Sequence, residues 1–177
     1  AELHCLTNFS FLRGASRPEE LVERAVQLGY QALAITDECS VAGVVRAHAE
    51  AKQRELKLII GSEFQFIDGP HCVLLATNRK GYGQLCRLIT QGRRAAEKGS
   101  YRLEWRDLFD GDADHSFLED CLALWLPAVD PDPEQGARIR KAFPDRAWIA
   151  VELLTSGNDR KRLVQLQALG AQLQMPL

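Results

Sequence analysis

Short apolar runs alternate along this chain with segments that have the periodicity of amphipathic helices. Apolar runs that end abruptly in polar residues predict strands at residues 32–35, 56–60, 71–76, 121–126 and 147–154. Apolar positions three and four residues apart predict helices at residues 18–28, 41–54, 82–97, 131–143 and 159–173. This alternation is typical of βα units around a parallel sheet, and we therefore expect an α/β fold.

Capping and turn residues between these segments refine the predicted boundaries of helices and strands. Ser16 and Glu19 have the spacing of a capping box at the start of the first helix. The third strand is expected to close at 61–63 and to resume at 64–66 before the turn at 68–70, so that 71–76 is a return strand. The polar, weakly periodic stretch 98–120 predicts a loop-rich excursion.

The length and composition predict one folded domain. The chain has 177 residues, of which 46% are hydrophobic and 26% charged. Its formal net charge of −2 argues against an independent module that binds nucleic acid by electrostatics. A basic stretch, 79–106, is followed by an acidic one, 107–134, and we interpret the two as solvated surfaces.

The cysteines and the apolar runs bear on the compartment. Five widely spaced cysteines without a C-x-x-C pair indicate neither a disulfide framework nor a zinc knuckle, and they fit a reducing cytoplasm. No apolar run approaches the length of a membrane span, which is about 18 residues. We therefore expect a cytoplasmic chain with no membrane association.

Four side chains that could bind a metal come at predicted strand ends. His4, Asp37 and Glu63 end the first three apolar runs, and His71 opens the return strand. In a parallel α/β fold such positions share one mouth, where two imidazoles and two carboxylates would suit Zn²⁺, Mn²⁺ or Fe²⁺. Taken singly, each is more often a helix cap or a hydrogen-bonded structural group.

Other candidates have simpler interpretations. Strand alternation directs Cys5 away from the mouth, which predicts a core thiol. Arg13, in the first loop, is a weak candidate for phosphate contact, with an ordinary surface arginine as the alternative. The acidic loop residues around Asp112, Asp114 and His115 are interpreted as hydrated.

Several segments together resemble a known family. Residues 3–14, 34–38, 59–63 and 71–76, in that order, resemble the N-terminal motifs of PHP (polymerase and histidinol phosphatase) domains. Residues 78–88 resemble the following stretch of the alpha subunits of C-family bacterial DNA polymerases, and 8–16 resemble their error-prone paralogue. The resemblance implies that residues 1–177 are the N-terminal part of an incomplete, irregular (β/α)7 PHP-type barrel, with late strands beyond Leu177.

The resemblance also implies a depleted metal site. His4, Asp37, Glu63 and His71 match family ligands, with Glu38 as a candidate fifth ligand or as a hydrogen-bond partner of His4 in place of metal. Leu6 stands where the family has a second histidine, and residues 124–127 offer no ligand.

The function implied is that of a mainly structural and interaction module of an error-prone, translesion DNA polymerase, with no catalytic residue of its own. Its partners would be the remainder of the polymerase chain and, through it, DNA. The module would require no cofactor and would hold at most one weakly bound Zn²⁺ or Mn²⁺, with Mg²⁺ serving the parent polymerase. The alternative is an active metal-dependent phosphoesterase or 3′–5′ exonuclease. A third hypothesis, an unrelated phosphate-binding barrel, would make the match of 78–88 a coincidence.

Overall fold

A computed structural model of the chain describes residues 1–111 and 113–177, so that Asp112 lies outside the described residues. In chain order the helices and strands are α1 (Pro18–Gln27), β1 (Ala32–Ile35), α2 (Val44–Gln53), β2 (Lys57–Gln65), β3 (His71–Ala76), α3 (Arg79–Arg94), a 3-10 turn (Trp105–Leu108), β4 (Cys121–Trp125), α4 (Pro133–Ala142), β5 (Ala147–Ile149) and α5 (Asp159–Leu173). The predicted α/β class is confirmed.

The five strands form one sheet in the order β1-β2-β3-β4-β5. The pairs β1–β2 and β4–β5 are parallel, whereas β3 is antiparallel to both of its neighbours. The predicted return strand at 71–76 is confirmed, whereas the expectation of a wholly parallel sheet is wrong, because β3 is antiparallel to both β2 and β4. The connection between β2 and β3 is too short for a crossover, since a parallel connection needs about a dozen residues, and the chain turns back as a hairpin.

Two local features also differ from the prediction, at Gly61 and at the start of α1. The strand β2 runs through Gly61 without a break, because the glycine lets the adjacent strand approach: a Cβ there would lie 2.6 Å from Cδ2 of Leu75. At the start of α1 the capping box contains Glu20 and not the predicted Glu19: the backbone N–H of Arg17 donates to the carboxylate of Glu20 at 2.8 Å. The helix itself begins at Pro18, as expected.

The helices cover one face of the sheet. Helices α1 and α2 bury Leu33 and Ile35 of β1, and the larger core lies between α3, α4, α5 and the outer side of β3, β4 and β5. The stretch 98–120 contributes more than a loop, since Leu103, Leu108 and Leu118 are fully buried in that core.

The other face of the sheet lines an apolar cavity of about 760 Å³, which is bordered by Ile59, Leu75, Leu122 and Trp148. No helix among residues 1–111 and 113–177 has the length and hydropathy needed to cross a bilayer.

Candidate functional site

Glu63, near the end of β2, lies at the centre of a polar cluster and is only 1% exposed. Its Oε1 accepts from Arg13 Nη1 at 2.5 Å and lies 2.7 Å from His71 Nε2. Its Oε2 lies 2.7 Å from His4 Nε2 and accepts from Arg13 Nη2 at 3.2 Å. Because a carboxylate has roughly four acceptor positions, these four donors occupy all of them.

His4 reaches Glu63 from an additional edge segment. A parallel bridge between Glu2 and Leu33 places the N-terminal residues beside β1. The other ring nitrogen of His4, Nδ1, lies 2.5 Å from Oε1 of Glu152. Burial acts to lower the pKa of His4, but the hydrogen bonds to Glu152 and Glu63 outweigh it and raise that pKa to about 9. His4 is therefore a cation held between two carboxylates at neutral pH.

The buried charge of Glu63 is paired with cationic hydrogen-bond donors. Burial alone would raise the pKa of Glu63, but the hydrogen bonds from His4, His71 and Arg13 hold it well below its ordinary value. The hydrogen bond to Glu63 also raises the pKa of Arg13 above its ordinary range. Glu63 is thus ionised although it is buried, which a protein tolerates only where the charge is paired and hydrogen-bonded.

Glu38 lies beside Glu63, to which it is joined by a parallel bridge. Its Oε2 accepts from Arg13 Nη1 at 2.9 Å, and its Oε1 accepts from the hydroxyl of Tyr101 at 3.0 Å. The prediction that Glu38 could hydrogen-bond to His4 is wrong, because the two ring nitrogens of His4 contact the carboxylates of Glu152 and Glu63.

Asp37 is fully buried and has a different set of partners. Its Oδ1 accepts from the backbone N–H of Thr7 at 2.8 Å and from the Ser10 hydroxyl at 2.7 Å. Its Oδ2 accepts from the Thr7 hydroxyl at 2.8 Å. Of the four residues predicted as ligands, His4 and His71 contact Glu63. The carboxylate of Asp37 accepts its hydrogen bonds from Thr7 and Ser10 in the first loop.

This arrangement does not fit the family's metal cluster as it stands. Within residues 1–111 and 113–177, no three histidine, cysteine, aspartate or glutamate side chains are grouped so that they could hold a metal ion. The physical reason is that Glu63 and Asp37 already accept protein hydrogen bonds at both of their oxygens. In this state the cluster joins four parts of the chain through side-chain contacts: the residue Glu38 after β1, the end of β2, the start of β3 and the segment after β5.

Two members of the cluster were missed by the sequence analysis. Glu152 follows β5 but lies inside the predicted strand 147–154, so the rule that reactive groups gather at strand ends would have found it only if the strand had been predicted to end at Ile149. Tyr101 lies in the stretch 98–120, where the sequence offers no such signal. Burial raises the pKa of the Tyr101 hydroxyl, which therefore acts as a proton donor to Glu38.

Two minor candidates can now be placed. Cys5 packs against the core under α1 and α2, and burial raises the pKa of its thiol to about 11. The side chain of Arg13 is 40% exposed, so its contact with phosphate stays a prediction, although Glu38 and Glu63 already neutralise it.

A scan against family descriptions matches residues 2–152 to "PHP domain". Among curated proteins, the chain is 61% identical to the error-prone DNA polymerase of Methylococcus capsulatus and 55% identical to that of Dechloromonas aromatica, each over all of this chain. It covers 16% and 17% of those two proteins, and thus spans about a sixth of the length of the curated relatives it matches.

Among solved structures, a protein from Bifidobacterium adolescentis that is provisionally named a metal-dependent phosphoesterase aligns with 98% of this chain and 84% of its own. The identity is 16% and the TM-score 0.49.

Proposed function

The chain belongs to the PHP domain family, and from this premise we propose that it is the N-terminal part of the PHP domain of an error-prone DNA polymerase, where it serves mainly as a structural module. The observation that carries this proposal is the buried carboxylate of Glu63. A group that matches a family metal ligand is held by Arg13, His4 and His71, and all its acceptor positions are occupied.

The whole-chain identity to proteins named error-prone DNA polymerase supports the polymerase as the parent. The partners of the module are then the remainder of the polymerase chain and, through it, DNA. Primer extension past damaged bases, with Mg²⁺, belongs to other parts of that chain, which acts in the cytoplasm. The free state of all five cysteines is compatible with that compartment.

We place residues 1–177 in an incomplete (β/α)7 barrel. Both edges of the sheet continue the pattern: Glu2 bridges to β1 at one edge, and at the other the backbone N–H of Ile149 donates to the carbonyl of Pro176 at 2.8 Å. Further strands beyond Leu177 would cover the apolar cavity beside Trp148. Burial of that face would stabilise the domain, since apolar burial contributes about 25 cal/mol per Å².

The residual metal site is weak in this account. His4, Glu63 and His71 could hold one Zn²⁺ or Mn²⁺ only after losing hydrogen bonds that they make in the structure. Zn²⁺ in protein sites has about four ligands, and each ligand nitrogen must be free of its proton. The high pKa of His4 opposes that loss at neutral pH.

A hydrolysis assay tests the proposal against its enzymatic alternative. The chain is incubated with labelled single-stranded DNA and with p-nitrophenyl phosphate in Mn²⁺ or Zn²⁺, beside H71A and H48A. We expect no release above the buffer rate from any of the three. Metal-dependent release that is lost in H71A and retained in H48A, whose histidine is exposed on α2, would establish a phosphoesterase instead.

A further inference from the structure

The guanidinium of Arg13 belongs to the cluster although Arg13 matches none of the family's metal ligands. It bridges two carboxylates on adjacent chain segments, with Nη1 at 2.5 Å from Glu63 Oε1 and 2.9 Å from Glu38 Oε2. Its Nη2 makes a second bond to Glu63 at 3.2 Å. The guanidinium carries one positive charge and lies between the two carboxylates, whose negative charge it partly neutralises.

The two carboxylates need such a cation. Glu38 and Glu63 are fixed side by side by their parallel bridge, and the backbone carbonyl of Glu38 is further held by Arg93 at 3.0 Å. Like charges at this spacing raise the cost of ionisation unless an opposite charge lies between them. The planar guanidinium supplies that charge with a geometry that matches a carboxylate at two points.

The loop that carries Arg13 is shaped to place it. Leu12 adopts a left-handed backbone conformation, φ 62°, which is strained for a residue with a side chain. At Gly14 a Cβ would lie 1.9 Å from the carbonyl oxygen of Thr7, so only glycine allows the loop to close there. Ser10 ties the loop to Asp37 at 2.7 Å and accepts from the Glu38 backbone N–H at 2.9 Å.

We propose that Arg13 is an intramolecular substitute for a divalent cation between the carboxylates of Glu38 and Glu63. In the same loop, Thr7 and Ser10 donate hydrogen bonds to the carboxylate of Asp37. Residues 7–14 together therefore supply the hydrogen bonds and the charge that metal ions would otherwise supply. This inference concerns the chain's own residues and does not depend on which longer protein contains it.

The inference predicts a gain of metal binding on removal of one positive charge. In R13Q the two carboxylates lose their shared cation, and a divalent ion can take its place. The matched control is R17Q, four residues along the chain, because Arg17 is 63% exposed and its ion pair within the described residues is with the exposed Glu20. R13K keeps a charge but cannot make the bidentate contact, and we expect it to gain no metal site.

The measurement is a Zn²⁺ and Mn²⁺ titration by calorimetry, combined with thermal unfolding with and without metal. We expect R13Q to unfold at lower temperature than the native chain in chelator, to bind Zn²⁺ at least about tenfold more tightly than the native chain, and to be restabilised by it. The gain should be absent in R17Q, in R13K and in R13Q/E63Q.

Two results would overturn the proposal: R13Q binding metal no better than R17Q, or a gain that persists in R13Q/E63Q. If R13Q is unfolded in chelator, recovery of its helical circular dichroism on addition of Zn²⁺ supports the proposal, and failure to recover overturns it. Neither of these results would change the outcome of the hydrolysis assay. The proposal for Arg13 and the proposed structural function can therefore fail independently of each other.

Discussion

Among single residues, side chains at positions that match family metal ligands contact one another and Arg13 in this structure. Glu63 keeps the identity that the motif predicts, but Arg13 and the two histidines occupy its oxygens. Breaking such a buried pair by removing one partner costs about 3–5 kcal/mol, because the other charge is left uncompensated. The structural role of these residues therefore depends on all of them together.

The protonation of His4 gives the cluster a pH dependence. Its pKa is raised from 6.5 to about 9 in the folded state, so its stabilising contribution is complete below pH 6.5 and is lost as the pH rises through 9. The free energy of unfolding, measured by urea denaturation, should fall over that window by at most about 3 kcal/mol. For Glu63 and Glu152, whose pKa values are lowered, the sign is opposite: stability is lost as the pH falls below 4.5.

The variant H4Q isolates this effect. It should be less stable than the native chain at pH 6.5 and should lose the part of the slope between pH 6.5 and 9 that belongs to His4. H48Q, which changes an exposed histidine, should keep that slope. An H4Q slope equal to that of the native chain would contradict the account of His4.

At the scale of elements, the sequence predicts the regular segments well because their signals are local. The bounds of β3 and α5 agree with the prediction to the residue, since each is flanked by clear turn or capping residues. The strand β5 was overestimated: it ends at Ile149, although the apolar run continues to Leu154, because the chain leaves the sheet and brings Glu152 to His4.

The cluster was less predictable than the elements. The contacts of His4 with Glu152 and of Glu38 with Tyr101 join positions 148 and 63 residues apart, and nothing in the local pattern encodes them. Strand-end positions correctly brought His4, Glu63 and His71 together. They did not foresee that Thr7 and Ser10 would hold Asp37, because a loop's path depends on tertiary packing.

Two glycines test how the loop closes. G14A places a methyl group 1.9 Å from the Thr7 carbonyl oxygen, which forces a shift of the backbone, whereas a Cβ at Gly83 on α3 meets nothing within 4 Å. We expect G14A to lower the free energy of unfolding by roughly 2–3 kcal/mol. G83A should raise it by about 0.5–1 kcal/mol, since alanine is the better helix former. Urea denaturation of both variants measures these values, and equal effects would contradict the proposed closure.

At the scale of the whole molecule, the sheet has one face covered by helices and another that lines an apolar cavity. The polar cluster, which includes His4 and Glu152, lies at one border of this cavity. A domain organised in this way fits a part that is completed by the rest of a longer chain, and its ion pairs hold together the strands that border the uncovered face. In the function proposed above, the contribution of this domain to a polymerase is to provide a folded platform.

We infer that Arg13, His4 and His71 hold Glu63 in the place of metal ions. Calorimetric titration of the native chain with Zn²⁺ and Mn²⁺ at neutral pH measures whether the cluster still binds metal. We expect at most one ion per chain, taken up weakly and only at high added metal, because Arg13 and the protonated His4 must first be displaced from Glu63. Tight uptake of two or more ions per chain would contradict it, since the family's cluster would then survive in spite of the ion pairs.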